Sequence, residues 1–252
     1  RTYPGTRSGA HIGAGLIAAE LDELTDALVQ SKADDGSFDI HHWGREGMMH
    51  LTPLWLLKYL PNMLACHVTI IHDCQGPSNT ITCGEASGGL SIAESMRVIQ
   101  RGKADLCFCG GAESKINPMA YYRQQLTGRL CECHNDEPTK GVKPFDKFAC
   151  GTAIGEGGGI LTIESIDAAT QRGAKVYAHL LATAASMSVN PEAGGLAPDP
   201  AGAGIRAAIA NALRKAGLQP NDIDAIVAFG SAIPEYDQAE AKALADVFGD
   251  AL

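Results

Sequence analysis

Between Gly76 and Gly111 the chain carries a turn, a short strand, a glycine-rich turn, a helix and a second apolar strand in quick succession. Gly76-Pro77-Ser78 turns the chain into Asn79-Thr-Ile-Thr82, whose β-branched residues favour an extended backbone. Gly84-Glu-Ala-Ser-Gly-Gly89 follows, and then Leu90, Ile92, Ala93, Met96 and Ile99 recur at helical spacing up to Gln100. Gly102 ends that helix, and Ala104 to Cys109 reads as a buried strand closing on Gly110-Gly111. A strand, a crossover helix and a second strand close in sequence form a βαβ unit, which requires a parallel pair with the helix on one face.

The flanks repeat the alternation. An amphipathic helix carrying Ile17, Leu21, Leu24 and Leu28 opens the chain, and Leu51 to Ile71 reads as helix passing into an apolar strand, His67 to Ile71. Asn117 to Val142 is irregular and suits a cap or interface. Gly158 to Ile163 reads as another strand, with Ser165 as the N-cap of the next helix. After a Gly- and Pro-rich loop, Asn190 to Gly204, comes a helix with Ile205, Ile209 and Leu213, stopped by Gly217. Ile223 to Phe229 then reads as a strand, and a last helix begins at Asp237, with Glu240 completing a capping box. The expected class is α/β, a mainly parallel sheet between helices.

Composition narrows the function. The 252 residues are enough for one large core or two modest ones. A net charge of −9, with no Lys/Arg block, argues against a nucleic-acid surface. Leu51 to Leu60, the most apolar stretch, is broken by Thr52, Pro53 and Lys58, so no membrane span is expected and a cytoplasmic location is the default. The eight cysteines lie partly in apolar runs and read as small buried hydrophobes rather than a disulfide framework.

Chemistry in an open α/β sheet gathers where strands end and helices begin. Two such ends stand out, Thr82 to Gly89 and Ala228 to Asp237. The first is an elbow that would hold a side chain at the positive end of a helix dipole, where a thiol's pKa falls. The turn holds Glu85, however, and Cys83 sits two residues earlier on the strand side.

The run Gly76 to Gly88 resembles the nucleophile elbow of the β-ketoacyl-acyl carrier protein synthases. Arg101-Gly-Lys-Ala-Asp105, Gly110-Gly-Ala-Glu113, Lys143-Pro-Phe-Asp146, Gly155-Glu-Gly157 and Arg172-Gly-Ala174 follow in that family's order and spacing. The resemblance runs from about Gly13 to Gly249. It implies a thiolase-like fold of mainly parallel mixed sheets sandwiched by helices, incomplete at both ends. It also implies two parts, residues 1–165 as a partial N-terminal ketosynthase half and 166–252 as the start of a truncated C-terminal half. The family's catalytic set is an elbow Cys, two His and a supporting Lys. Counting from Gly76-Pro77-Ser78 and back from Gly110-Gly111 puts Glu85 at the Cys position. Phe229-Gly-Ser-Ala-Ile-Pro234 matches the pattern around the first His, which puts Phe229 in its place. The remaining Lys and His are expected beyond Leu252.

Similar losses occur in the chain-length factor (ketosynthase β) branch, and Ile233 to Glu240 resembles that branch, although its members commonly carry Gln where Glu85 stands. The resemblance therefore implies a catalytically degenerate subunit that shapes the acyl pocket and pairs with an active ketosynthase. Its expected partners are acyl carrier protein, a ketosynthase subunit or a second copy of itself, and an acyl chain, with no nucleic acid, membrane, cofactor or metal. The alternatives are a condensing β-ketoacyl synthase, a malonyl decarboxylase, or a structural homodimeric pseudoenzyme.

Glu85 has two open readings: a carboxylate standing in for the acyl-Cys, or an acid that only complements the helix dipole, worth roughly 0.3–1 kcal/mol. A general-base role lacks its partner, since Phe229 can neither donate nor accept a proton. Phe229 itself suits the end of a buried strand. Cys131, Cys133 and His134, with Cys107 and Cys109, offer a poor zinc set, because the Cys-x-Cys spacing is too tight. His41-His42 reads as a polar loop. Gly155 to Gly159 lacks the strand and helix that a nucleotide loop requires, and suits close backbone packing.

Overall fold

A computed structural model describes residues 3–193 and 197–249. The chain forms two compact units, one of Arg1–Tyr122 with Gly155–Lys175, the other of Arg123–Ile154 with Val176–Leu252. The expected loop from Asn190 to Gly204 contains Gly194, Gly195 and Leu196, which lie outside the described residues, as does Leu252. Among the described residues no helix is long and apolar enough to cross a membrane.

The first unit is built on one sheet. Its elements are β1 (Ser8–Gly13), α1 (Leu21–Val29), α2 (Ile40–Arg45), α3 (Met63–His72), β2 (Ser78–Ile81), α4 (Ser87–Gln100), β3 (Leu106–Ser114), β4 (Glu156–Glu164) and α6 (Ile166–Gln171), with α5 (Pro118–Leu126) running across the boundary between the units. The sheet order is β2-β1-β3-β4. β1 pairs parallel with β2 (Ala10 opposite Ser78) and with β3 (His11 opposite Cys109), whereas β3 pairs antiparallel with β4 (Cys109 opposite Leu161). β2–α4–β3 is the crossover that the Gly76–Gly111 pattern predicts, with β1 inserted between its two strands.

β1 escapes sequence reading for a physical reason. All six of its residues are buried, so it shows no alternation, and Ser, Gly and His do not look like a core. Its glycines are steric necessities. A Cβ on Gly13 would lie 2.6 Å from the Ser87 carbonyl carbon, and one on Gly9 2.4 Å from the Pro77 oxygen. The two sheet faces carry different helices. Phe108, on one face, stacks 5.1 Å from the His72 ring of α3. Residues of the opposite pleat, Gly9, His11, Gly13, Cys107 and Cys109, face α4. On that side Val98, Ala104 and Cys107 form the buried cluster, with Ile99 and Ile163 packed against it.

Several sequence expectations are corrected: α1 starts at Leu21 and leaves Ile17 outside it, and His41-His42 lie in α2 rather than in a loop. His67 to Ile71 is the last part of helix α3, not a strand. A short apolar β-branched run is ambiguous, and here it continues the turns begun at Met63, ending where Asp73 turns left-handed (φ 49°) and Cys74 N–H bonds the Thr69 carbonyl. Ile223 to Phe229 belongs to no strand among the described residues, and Val227 is 99% exposed. The last helix, α8 (Pro234–Phe248), begins three residues before Asp237, with Pro at its first position. Asp237 and Glu240 consequently lie inside it and bond the preceding loop instead of forming a capping box.

In the second unit α8 accompanies α7 (Ala203–Ala216), whose end at Gly217 (φ 71°) follows expectation. Gly202 lets the two helices approach: a Cβ there would sit 2.4 Å from the Ala239 oxygen. Arg206 and Asp246 add an exposed ion pair at 2.6 Å.

Candidate active-site elbow and the Phe229 loop

The elbow forms as the sequence predicts, at the carboxyl end of β2 and the start of α4. Gly84 takes the left-handed conformation (φ 57°) that the sharp turn demands. Ser87 fastens the turn: its hydroxyl accepts from the Cys83 N–H (2.8 Å) and donates to the Gly84 carbonyl (2.7 Å). Ala86 N–H bonds the Cys83 carbonyl at 3.3 Å, and Cys83 and Glu85 form an isolated bridge. Glu85 is thereby carried on the outside of the turn, exposed, just ahead of the first turn of α4, with Cys83 also exposed on the strand side. This location suits stabilisation of negative charge, and a carboxylate there supplies a charge but no acyl-accepting thiol.

Beneath the elbow lies a layer of small polar side chains that sequence reading missed. Ser87, Ser91 and Ser95 recur every four residues and are buried on α4 together with Ala93 and Val98, deeper than the apolar Leu90, Ile92 and Met96. Ser91 Oγ accepts from the Gly110 N–H at 2.9 Å and also lies 2.8 Å from its carbonyl, pinning the helix to β3. Ser95 lies beside the Cys107 and Cys109 thiols. Burial pushes the Cys107 thiol up to about 11 and raises Cys109 as well, so neither is a nucleophile at neutral pH. His11 is 2% exposed with neither ring nitrogen hydrogen-bonded, and burial lowers its pKa despite the opposing field of Glu94. A serine stripe is polar by composition, so only its four-residue spacing signals an interior face.

Phe229 lies in the second unit, in a loop fixed by two carboxylates of α8. Glu240 accepts from the Phe229 N–H (2.7 Å) and the Gly230 N–H (3.0 Å). Asp237, 4% exposed, accepts from the backbone N–H groups of Ser231 (2.8 Å), Ala232 (3.1 Å) and Phe145 (2.7 Å), and from the Ser231 hydroxyl (3.0 Å). The bonds hold Ala232 in a left-handed conformation (φ 62°) and bring the Lys143-Pro-Phe-Asp146 segment against the loop. A Cβ on Gly230 would lie 3.1 Å from the Phe145 ring. The phenyl group of Phe229 is 56% exposed, so it does not finish a buried strand as expected.

Other candidate features separate. Cys107 and Cys109 belong to the first unit, and Cys131, Cys133 and His134 to the second. Among the described residues no three His, Cys, Asp or Glu side chains are grouped to hold a metal. Gly155 is followed by β4, and Gly158 packs on Ala112 of β3, where a Cβ would approach to 2.6 Å, whereas a Cβ at Gly155, Gly157 or Gly159 would meet nothing within 4 Å, so close packing accounts for Gly158 alone. A recess of about 490 Å³ lined by Tyr3, Ser8, His72, Phe108 and Arg172 touches the amino ends of β1 and β3, opposite the strand ends that carry the elbow.

Comparison with known proteins agrees with this geometry. Residues 11–169 match the model of the beta-ketoacyl synthase N-terminal domain, and residues 177–252 that of its C-terminal domain. A mitochondrial 3-oxoacyl-[acyl-carrier-protein] synthase of Arabidopsis thaliana is 34% identical over 97% of this chain and 49% of its own length. The chain spans about half the length of the curated relatives it matches. Among solved structures, a type II polyketide synthase ketosynthase in complex with its acyl-carrier protein superposes with a TM-score of 0.78 at 24% identity, covering 99% of this chain and 58% of that one. The ishigamide ketosynthase/chain length factor gives a TM-score of 0.74 at 26% identity, with 96% and 54% covered. The fold is thus the thiolase-like ketosynthase fold, and the chain belongs to the beta-ketoacyl synthase family.

Proposed function

We propose that this chain is a catalytically degenerate ketosynthase-like subunit, which shapes an acyl pocket and pairs with an active ketosynthase in a fatty acid or polyketide assembly. The observation that carries the reading is Glu85, exposed at the elbow, in a turn whose Gly84 and Ser87 geometry is intact. An intact elbow without a thiol retains shape and field while the acyl-enzyme step is lost. Phe229, matched to the first family His, removes an oxyanion donor as well. On this reading residues 1–165 and 166–252 correspond to the two ketosynthase halves, and the partners are acyl carrier protein, a ketosynthase subunit or a second copy, and the growing acyl chain. β2 at the sheet edge, with Ser78 and Asn79 exposed, supports edge-to-edge pairing there.

The test is acylation. Incubation with acyl carrier protein thioesters or a cerulenin-type alkylator should leave residue 85 unmodified by peptide mass spectrometry, whereas Glu85→Cys should take up label. Specific stoichiometric labelling of wild-type Cys83 would instead support a condensing synthase or malonyl decarboxylase. That second reading draws on the relatives named as 3-oxoacyl-[acyl-carrier-protein] synthases and on the exposed Cys83.

A further inference from the structure

In the second unit the Sγ atoms of Cys131 and Cys150 lie 3.0 Å apart. Both residues are half-buried free thiols, in contrast with the exposed Cys133 two residues beyond Cys131. The closeness is imposed by the backbone rather than by a side-chain rotamer alone. Leu130 and Thr152 form a parallel bridge, in which Cys131 N–H bonds the Thr152 carbonyl at 2.8 Å and Thr152 N–H bonds the Arg129 carbonyl at 2.9 Å. Gly151, between Cys150 and Thr152, takes φ 131°. A Cβ there would lie 2.6 Å from both the Cys131 nitrogen and the Leu130 carbonyl carbon. A side chain at 151 would push the two segments apart, so the glycine is what lets the sulfurs meet.

We propose that Cys131 and Cys150 are a reversible dithiol/disulfide pair, a redox modification site oxidised by low-molecular-weight disulfides such as oxidised glutathione. Bond formation needs the sulfurs to close from 3.0 Å to about 2.05 Å. One thiol loses its proton and the thiolate attacks a sulfur of the oxidant, expelling one glutathione thiolate and leaving a mixed disulfide. The second cysteine, also deprotonated, attacks the protein-side sulfur and expels the second glutathione thiolate. The two released protons go to the two glutathione thiolates, so the protein pair is oxidised by two electrons and the glutathione disulfide is reduced to two thiols. Hydrogen bonding to Cys150 and burial both raise the Cys131 thiol's pKa, which lowers its thiolate fraction and slows its reaction. The site is independent of the elbow: it belongs to the second unit and needs no acyl chemistry. Its state reaches the Phe229 loop through Gly151, whose N–H bonds the Ala232 carbonyl at 3.1 Å.

The experiment equilibrates the full chain in glutathione redox buffers, quenches with iodoacetamide and maps peptides. The expected result is a Cys131–Cys150 cross-linked peptide that appears with rising oxidised glutathione and vanishes with dithiothreitol. Cys150→Ser should abolish the cross-link and leave Cys131 as a glutathione mixed disulfide. Full alkylation of both cysteines in a chain that remains folded at the most oxidising ratio would overturn the proposal. So would a cross-link joining either cysteine to a different one.

Discussion

The elbow around Glu85 and the loop around Phe229 hold equivalent cargo in different ways. Each presents an exposed residue, Glu85 or Phe229, beside a residue in the left-handed conformation, Gly84 at the elbow and Ala232 in the loop. The elbow is held by neutral groups, the Ser87 hydroxyl and the packing of Gly13 against the start of α4. The Phe229 loop is held by two carboxylates that together accept six hydrogen bonds, four at Asp237 and two at Glu240. Bonds to a charged acceptor are roughly twice as strong as neutral ones. The loop's geometry therefore depends on two side chains, whereas the elbow's is distributed over helix–strand packing.

The sharpest way to break this comparison is Asp237→Ala. It strands donors from three backbone positions, that of Ala232 fully buried, and the second unit should lose roughly 3–4 kcal/mol in urea unfolding. A loss under about 1 kcal/mol would mean that the carboxylate does not hold the loop. Ser87→Ala should cost less, about 1–2 kcal/mol, with faster amide exchange confined to residues 83–87. An effect as large as that of Asp237→Ala would erase the distinction between a concentrated and a distributed scaffold.

The layer under the elbow also contains a buried histidine, and it sharpens the contrast. His11 is held below its ordinary value of 6.5 by burial, against the raising influence of Glu94 on α4. The unfolded chain thus binds a proton that the folded chain refuses. Stability is full above the ordinary value and declines as pH falls through it, until the folded group also protonates. The thermal midpoint should drop as the pH is lowered from about 7.5 to about 5, and His11→Met should flatten that slope. An unchanged slope in the variant would assign the acid sensitivity to other groups. The smallest effect is expected from Glu85→Gln, less than about 1 kcal/mol with the fold unchanged, if the carboxylate only complements the helix dipole. A large loss of partner ketosynthase activity in a variant of normal stability would show instead that its charge is used.

What was legible in the sequence follows from how locally each signal acts. Gly84 and the helix from Ser87 to Gln100 could be read because a sharp turn and a 3.6-residue period are properties of neighbouring residues. The same holds for the stops at Gly102 and Gly217 and for the N-cap at Ser165, whose hydroxyl accepts from the Ala168 N–H. The ordered family motifs located Glu85 on the elbow, where the structure also has it. The tertiary structure alone decided the rest. β1 is strand because it is enclosed between β2 and β3, which no six-residue window of Ser, Gly, Ala, His and Ile announces. His67 to Ile71 became helix because its β-branched residues continue turns already nucleated, and propensity yields to that context. Asp237 looked like an N-cap, and only the approach of loop 229–232 and Phe145 made it the hub of four hydrogen bonds. Hydrogen bonds between residues distant in sequence leave no periodic trace, so composition and spacing specified the elements while the packing of chain against chain assigned their polar groups.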